Sequence, residues 1–161
     1  MPSKTKSTKQ PVDYFLRRII NNCELMRLAN YNTNVYIGIS VRFPSKERLN
    51  DMCKAINEKV YRMMIPKCER EKPTQLEPSQ PSTYIRSYTY VCHDKWNNET
   101  YKARLVIDCI INYANNEYVF SMLIHGANFV VVSLVHEIDK VFTKRVPLAK
   151  NIEWDIGWDV G

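Results

Sequence analysis

Apolar residues near the start of the chain recur at steps of three and four, the spacing of one face of an amphipathic helix. The repeating positions are Val12, Phe15, Leu16, Ile19, Ile20, Cys23 and Met26. The basic residues Arg17, Arg18 and Arg27 lie off this stripe. The spacing predicts a helix that begins at Pro11 and is broken by the Asn-rich segment 30–34, because asparagine favours turns.

The next segment alternates between apolar and polar residues, which is typical of a strand buried on one side. The apolar positions are Val35, Ile37, Ile39, Val41 and Phe43. A helical pattern follows Pro44 and Ser45 and ends before Pro66, since proline cannot continue a helix. We predict a strand over 35–43 and then a helix. The buried side of that helix holds Leu49, Met52, Cys53, Ile56, Val60, Met63 and Met64.

Prolines and polar residues dominate the stretch 67–82, which predicts a flexible loop longer than most connections. Four strand-like runs rich in Tyr, Val and Ile follow it. They cover 83–93, 100–113, 117–125 and 129–136. The order of elements predicts a single α+β domain over 11–161, with an antiparallel sheet of about five strands and both amphipathic helices on one face. The tail that contains Trp154 and Trp158 fits no predicted element.

Composition restricts the function classes open to this chain of 161 residues. Hydrophobic residues make up 45% of it, enough for one core. Only four glycines are present, which disfavours glycine-rich phosphate loops. The five cysteines form an odd set without a C-x-x-C pair, so we expect no disulfide scaffold. Because no signal-like or membrane-spanning apolar run occurs, we predict a cytoplasmic or nuclear protein.

The formal net charge is +6, and it is unevenly distributed along the chain. Residues 1–72 carry +8 and residues 73–161 carry −2. The first ten residues contain Lys4, Lys6 and Lys9 with nothing to bury, which predicts a disordered basic arm. Such asymmetry indicates an anionic partner, either nucleic acid or an anionic membrane surface, although a basic region can also serve only solubility.

The sequence contains no recognisable catalytic or metal-binding motif. The Cys-His-Asp tripeptide at 92–94 falls on a predicted strand, where adjacent side chains point to opposite faces and cannot form a catalytic pair. The three histidines have no ligand-like spacing. If the hairpin turn centres on 96–98, Arg86 lies opposite Asp108, which favours a salt bridge over catalysis by Asp108. We therefore predict a protein that is not an enzyme and needs no cofactor or metal.

The same hairpin register predicts a sheet face on which tyrosines alternate with basic residues. This face holds Tyr84, Arg86, Tyr88, Tyr90, Lys102, Arg104 and Asp108. The other face holds Ile85, Val91, Leu105, Ile107, Cys109 and Ile111. Aromatic rings beside cations can stack on bases and contact phosphates, as binding of RNA or single strands requires. Alternatively, the tyrosines pack beneath the helices or form a protein interface.

The leading hypothesis is a non-enzymatic protein that self-associates into a homo-oligomer and binds nucleic acid. The candidate anion-binding residues are Lys4, Lys6, Lys9, Arg17, Arg18, Arg86, Tyr88, Tyr90, Lys102 and Arg104. The candidate protein interface consists of Tyr84, Trp154 and Trp158. In layout, a basic arm ahead of a compact α+β domain resembles small viral structural proteins of the matrix or nucleocapsid-associated kind. That resemblance implies the alternative: a self-assembling interaction module whose basic arm contacts anionic membrane and whose Trp-containing tail contacts a protein partner.

Overall fold

The computed structural model describes residues 14–23, 33–76, 82–93 and 98–158. The predicted basic arm, with Lys4, Lys6 and Lys9, lies outside these ranges. Within them the chain forms a seven-stranded antiparallel sheet and three α-helices. Their buried apolar side chains form one continuous cluster. The mixed α and β class is confirmed, whereas the sheet contains more strands than the five expected.

The elements follow one another in an order that the sequence patterns predict only in part. They are α1 (Phe15–Asn22), β1 (Asn34–Phe43), α2 (Lys46–Arg62), β2 (Cys68–Arg70), β3 (Thr74–Leu76), β4 (Ser82–His93), β5 (Thr100–Asn112), β6 (Glu117–Ala127), α3 (Asn128–Phe142) and β7 (Asn151–Trp158). The strand order is β2-β4-β5-β6-β1-β7, and β3 also pairs with β4. The predicted first helix is confirmed over α1, but it ends at Asn22, because the predicted helical position Cys23 is extended. The predicted positions Val12 and Met26 lie outside the described residues.

Strand β1 and helix α2 match their predictions. All five apolar positions of β1 are buried. The N-terminus of α2 is capped by the Ser45 hydroxyl, which accepts a hydrogen bond from the Arg48 amide at 3.3 Å. Its predicted stripe is buried from Leu49 to Met63. Met64, in contrast, is 88% exposed. The prediction for Met64 is wrong because the chain leaves the helix in an extended conformation at Met63.

Two other predictions of local structure fail, and the tail without a predicted element proves to be a strand. The run 129–136, predicted as a strand, lies inside helix α3, which buries Val131, Leu134, Val135, Ile138 and Phe142 at helical spacing. The predicted loop 67–82 contains the short strands β2 and β3. The unassigned tail forms β7, which pairs with β1. In each case a tertiary pairing or packing contact overrides a weak local preference.

Helices α2 and α3 pack side by side on one face of the sheet, against β1, β5 and β6. Helix α1 lies on α3, where the Phe15 and Phe142 ring centroids are 6.0 Å apart. The buried side chains of the three strands, such as Ile37, Ile107 and Ile124, point toward α2 and α3. None of the helices in the described ranges has the length and apolar character needed to cross a bilayer.

A buried carboxylate joins α1 to α3. Asp139 has no solvent exposure. Its oxygens accept hydrogen bonds from the Leu16 amide at 2.9 Å, the Arg17 amide at 2.8 Å and the Thr143 hydroxyl at 2.8 Å. The Phe15 amide in turn donates to the Thr143 hydroxyl at 3.0 Å. The free amides at the start of α1 are therefore satisfied by side chains from a helix more than a hundred residues away.

Two disulfide bonds cross-link the fold, so the expectation of no disulfide scaffold is wrong. Cys53 of α2 is bonded to Cys109 of β5, and Cys68 of β2 is bonded to Cys92 of β4. Cys23 is the free cysteine among the described residues. The bonded partners are 56 and 24 positions apart in sequence, too far for a local spacing motif to show. Only the packing of α2 on the sheet and the pairing of β2 with β4 bring them together.

Candidate binding surface

The pairing of β4 with β5 differs from the predicted register by one residue. Arg86 pairs with Ile107, and Asp108 pairs with Ile85. A shift of one residue moves every side chain of a strand to the other face. The predicted Arg86–Asp108 salt bridge is therefore wrong. Arg86 instead donates a hydrogen bond to the Gln75 side chain of β3 at 3.3 Å.

The tyrosines of β4 lie beneath helix α2 rather than on an exposed face. Tyr88 is 0% and Tyr90 is 1% exposed. The Tyr88 hydroxyl donates to Asn57 Oδ1 at 2.6 Å, and the Tyr90 hydroxyl donates to the Val60 carbonyl at 3.3 Å. Burial raises the pKa of Tyr90 well above its ordinary value. Neither ring can stack on a base, which corrects their assignment as nucleic-acid contacts and agrees with the alternative that they pack under a helix.

Tyr84 and Arg86 lie on the same helix-facing side, at its margin. The Arg86 guanidinium is 5.2 Å from the centre of the Tyr84 ring. Burial is the main cause that raises the pKa of Tyr84, and the nearby Arg86 charge opposes it. Both side chains are half-buried. Tyr84 also lines a groove of about 360 Å³ beside the Cys53–Cys109 disulfide. These two residues are therefore separated by the sheet from Lys102 and Arg104, with which the sequence grouped them.

Lys102 and Arg104 are exposed on the opposite sheet face, which we call the open face. It consists of the side chains of β4, β5, β6, β1 and β7 that point away from α2 and α3. Its apolar members on the central strands are Val106, Ile110, Val119 and Leu123. A four-residue row crosses it from Val106 through Leu123 and Gly38 to Asp155.

Leu123 is the most exposed apolar residue of the open face, at 46%. On one side it pairs with Val106, and on the other with Gly38, which has no side chain. A Cβ atom at position 38 would lie 3.9 Å from Leu123 Cδ1. The open face therefore presents an apolar projection beside a shallow hollow. None of the described helices covers this face, and apolar residues at the centre of such a face are typical of a contact surface.

Opposite charges flank this apolar strip. Lys102 and Arg104 project from β5, where Arg104 Nε donates to the Ser87 hydroxyl at 2.8 Å. Glu153 and Asp155 project from β7 and are exposed. Three strand spacings separate β5 from β7 in the sheet, which is about 14 Å. Lys102 and Arg104 thus lie on one side of Leu123 and Glu153 and Asp155 on the other, while the half-buried Asp108 of β5 also lies on the open face.

One aromatic ring also lies on the open face. A Cβ at Gly157 would fall 2.6–2.7 Å from atoms of the Tyr36 ring, so that ring lies over the backbone of Gly157. The Tyr36 hydroxyl is 3.4 Å from Asp155 Oδ2. Tyr36 shares a cross-strand row with His125 and Arg104. The strict alternation of β1 in the sequence is the signal that places Tyr36 on this face. Tyr36 was nevertheless not among the candidate binding residues predicted from the sequence.

The two tail tryptophans lie in β7 on the side that faces the helices. Trp154 is 52% exposed, and its ring packs edge-on against Phe15 at 5.8 Å between centroids. It lines a groove of about 430 Å³ between α1 and β7, together with Cys23. Trp158 is half-buried and packs against the core. Trp154 thus keeps an accessible ring for the predicted protein partner, whereas Trp158 has mainly a packing role.

The basic residues of α1 differ in their surroundings. Arg17 Nη2 donates to the His136 carbonyl at 2.9 Å, and its Nε lies 4.0 Å from Asp139. Arg17 therefore contributes to the junction of α1 and α3 and has little freedom to contact a ligand. Arg18 is exposed, with its guanidinium 5.8 Å from the Phe15 ring centre. Of the two arginines, Arg18 is the exposed one.

The tripeptide at 92–94 offers no nucleophile, because the sulfur of Cys92 is bonded to Cys68. Among the residues that the structure describes, no group of three His, Cys, Asp or Glu side chains is arranged to hold a metal ion. No family model matches the sequence, and no curated protein matches it.

Proposed function

We propose that this is a non-enzymatic binding protein whose copies associate through the open face. The observation that carries the proposal is the exposed apolar strip centred on Leu123, on the sheet face opposite α2 and α3. A second copy that covers the strip removes its apolar surface from water. Each Å² of apolar surface buried in this way stabilises the complex by about 25 cal/mol. Self-association of this kind is consistent with a structural, matrix-like role. Such a role is the one implied by the resemblance of the chain's layout to small viral structural proteins.

The charges of the open face support a second copy as the occupant. In a two-fold dimer the same patch serves both partners. If the axis passes beside Leu123, the cations Lys102 and Arg104 of each copy lie opposite Glu153 and Asp155 of the other. The face is thus complementary to itself in charge as well as in shape, and electrostatic complementarity fixes register and favours one partner over others.

Sedimentation velocity over a concentration series tests the proposal with a matched pair of variants. Leu123→Asp places a charge in the apolar strip and is expected to weaken self-association at least about tenfold. Leu148→Asp is the control, because Leu148 is 44% exposed but lies in the 3-10 turn Val146–Leu148 before β7. Equal association of both variants, or a wild-type chain that stays monomeric, would reject the open face as an interface.

A charge exchange gives a sharper test of the same interface. Lys102→Glu/Arg104→Glu and Glu153→Lys/Asp155→Lys should each associate weakly alone, since like charges then face each other. An equimolar mixture of the two should form a heterodimer of near wild-type strength, because both contacts regain opposite charges. If mixing restores nothing, the proposed orientation of the two copies is wrong.

Single-stranded nucleic acid is a second candidate partner, favoured by the row Arg104–His125–Tyr36. The flat Tyr36 ring offers a stacking platform, and Arg104 and Lys102 offer phosphate contacts. The site differs from the predicted tyrosine face, of which it keeps only Lys102 and Arg104.

Fluorescence anisotropy with labelled single-stranded RNA distinguishes this candidate. Affinity should fall log-linearly with salt, and Tyr36→Ala should weaken it about tenfold. Tyr113→Ala is the control, since Tyr113 is 65% exposed and lies outside the sheet face. If RNA affinity does not change with salt, or is the same in Tyr36→Ala as in the wild type, the row Arg104–His125–Tyr36 is not a nucleic-acid site.

A further inference from the structure

The most exposed large hydrophobic side chain in the described ranges is not on the open face. It is Met64, 88% exposed, in the connection between α2 and β2. Tyr61, in the last turn of α2, is 63% exposed, and Pro66 is exposed as well. We call residues 61–67 the Met64 tip. An apolar side chain held almost wholly in water costs free energy unless something covers it.

The fold holds this tip in place. Met63 and Ile65, on either side of Met64, are buried at 8% and 9% exposure. Because the chain is extended here, two buried neighbours direct the intervening side chain outward. The end of the tip is fixed by the His93 amide, which donates to the Lys67 carbonyl at 3.1 Å. The exposure of Met64 is therefore built into the backbone rather than a consequence of a loose loop.

Cations border the apolar tip. Arg62 and Lys67 are exposed before and after Met64 within the tip. No acidic residue occurs from 59 to 68. The Arg70 guanidinium lies 4.8 Å from the centre of the Tyr61 ring, which adds a third positive group at the base of the tip. An apolar side chain bordered by cations is thus presented by one segment, which also lines a groove of about 570 Å³.

Acidic groups near the tip reduce this charge without cancelling it. Glu58 and Glu69 are exposed at its borders, and Glu71 follows Arg70. Lys59 is paired with Glu137 at 3.5 Å, so it contributes little. The remaining cations of the segment 58–72 are Arg62, Lys67, Arg70 and Lys72. The tip retains a net positive charge, in a protein whose formal charge is +6.

We infer that the Met64 tip docks on an anionic lipid bilayer. The boundary between headgroups and acyl chains accepts an apolar side chain, and phosphate and serine headgroups accept Lys and Arg around it. Nucleic acid matches the cations, but it accepts an apolar side chain only where bases are unstacked, which costs free energy. A membrane matches both features at once.

The Met64 tip and the open face are different surfaces, so docking on a membrane is a property separate from self-association. One tip supplies one inserted side chain and few cations, so a single copy binds weakly. Association of copies multiplies that affinity through avidity. The Leu123→Asp variant separates the two properties: as a monomer it should retain binding that depends on the tip, at reduced strength.

Vesicle co-sedimentation of the full chain tests the apolar part. Vesicles of phosphatidylcholine, with and without about 30% phosphatidylserine, serve as the probe. Met64→Ser should lower the partition coefficient on the anionic vesicles about fivefold or more, because the inserted apolar group is lost without a change of charge. Leu148→Ser makes a similar chemical change at an exposed apolar residue away from the tip and should bind like wild type.

A second pair of variants tests the cationic rim. Arg62→Gln/Lys67→Asn should lower partitioning about twenty-fold, since each basic residue contributes near an anionic surface. Asn suits position 67, where φ is 65°. Lys144→Asn/Lys150→Gln removes the same charge at exposed positions elsewhere and is the control.

The outcomes separate cleanly. Equal losses in a tip variant and its control, or equal partitioning on neutral and anionic vesicles, overturn the inference. So does the absence of vesicle binding combined with binding to single-stranded RNA that Arg62→Gln/Lys67→Asn abolishes and the uncharged Met64→Ser leaves intact. That last result assigns the rim to nucleic acid. Thermal melts check that each variant is folded.

Discussion

Asp139 is a buried carboxylate whose role is to hold two distant helices together. It accepts two amide hydrogen bonds from the first turn of α1, and Arg17 is its nearest cation. Three donors, including the Thr143 hydroxyl, converge on it, so the charge is compensated by hydrogen bonds despite complete burial. A residue scan of the sequence does not reveal this role, because the partners are far apart in the chain.

Replacing Asp139 by Ala should lower the free energy of unfolding by about 3 kcal/mol, because buried donors at the start of α1 lose their acceptor. Urea denaturation measures the change. Glu58→Ala, at an exposed position of α2, should change stability by less than about 0.5 kcal/mol. A loss below about 1 kcal/mol for Asp139→Ala would show that water replaces the carboxylate.

At the scale of elements, the sequence predicts what depends on a regular period and misses what depends on partners. The alternation of β1 and the stripe of α2 are strong and correctly assigned. Phe129 and the valines after it favour a strand locally, yet α3 buries them as a helix. The β4–β5 register depends on the turn between the strands, and an error of one residue there exchanged the two faces. This single error accounts for the misplacement of Tyr88 and Tyr90.

The stability of a Tyr88 variant tests the β4–β5 register directly, because this register buries Tyr88. Tyr88→Ala should cost about 3–5 kcal/mol, because it empties a buried site and leaves the Asn57 carbonyl oxygen without its donor. Tyr113→Ala, at an exposed tyrosine, should cost little. Chemical denaturation of both variants provides the comparison. Equal and small losses would favour the register in which Tyr88 is exposed.

At the scale of the molecule, the two disulfides oppose the prediction of a cytoplasmic or nuclear protein. Disulfides persist in oxidising compartments and are rare where glutathione keeps thiols reduced. The Cys53–Cys109 bond closes a loop of 56 positions between α2 and the sheet, and constraining such a loop contributes about 4 kcal/mol in the chain-entropy model.

Thiol titration of the unfolded chain, prepared without reductant, should detect one free thiol, that of Cys23. Prior reduction should raise the count to the five cysteines of the sequence. The Cys23→Ser variant should give none before reduction. A count of five without reductant would contradict the two cross-links.

The outermost strands determine how far assembly can proceed. At one border of the sheet, β2 and β3 are only three residues long each. At the other, β7 carries exposed Glu153 and Asp155, which would face their own counterparts if two copies joined strand to strand. Short and like-charged borders discourage endless sheet growth. If copies associate through the open face as proposed, the contact would give closed pairs rather than fibres, and larger arrays would require a separate surface such as a shared membrane.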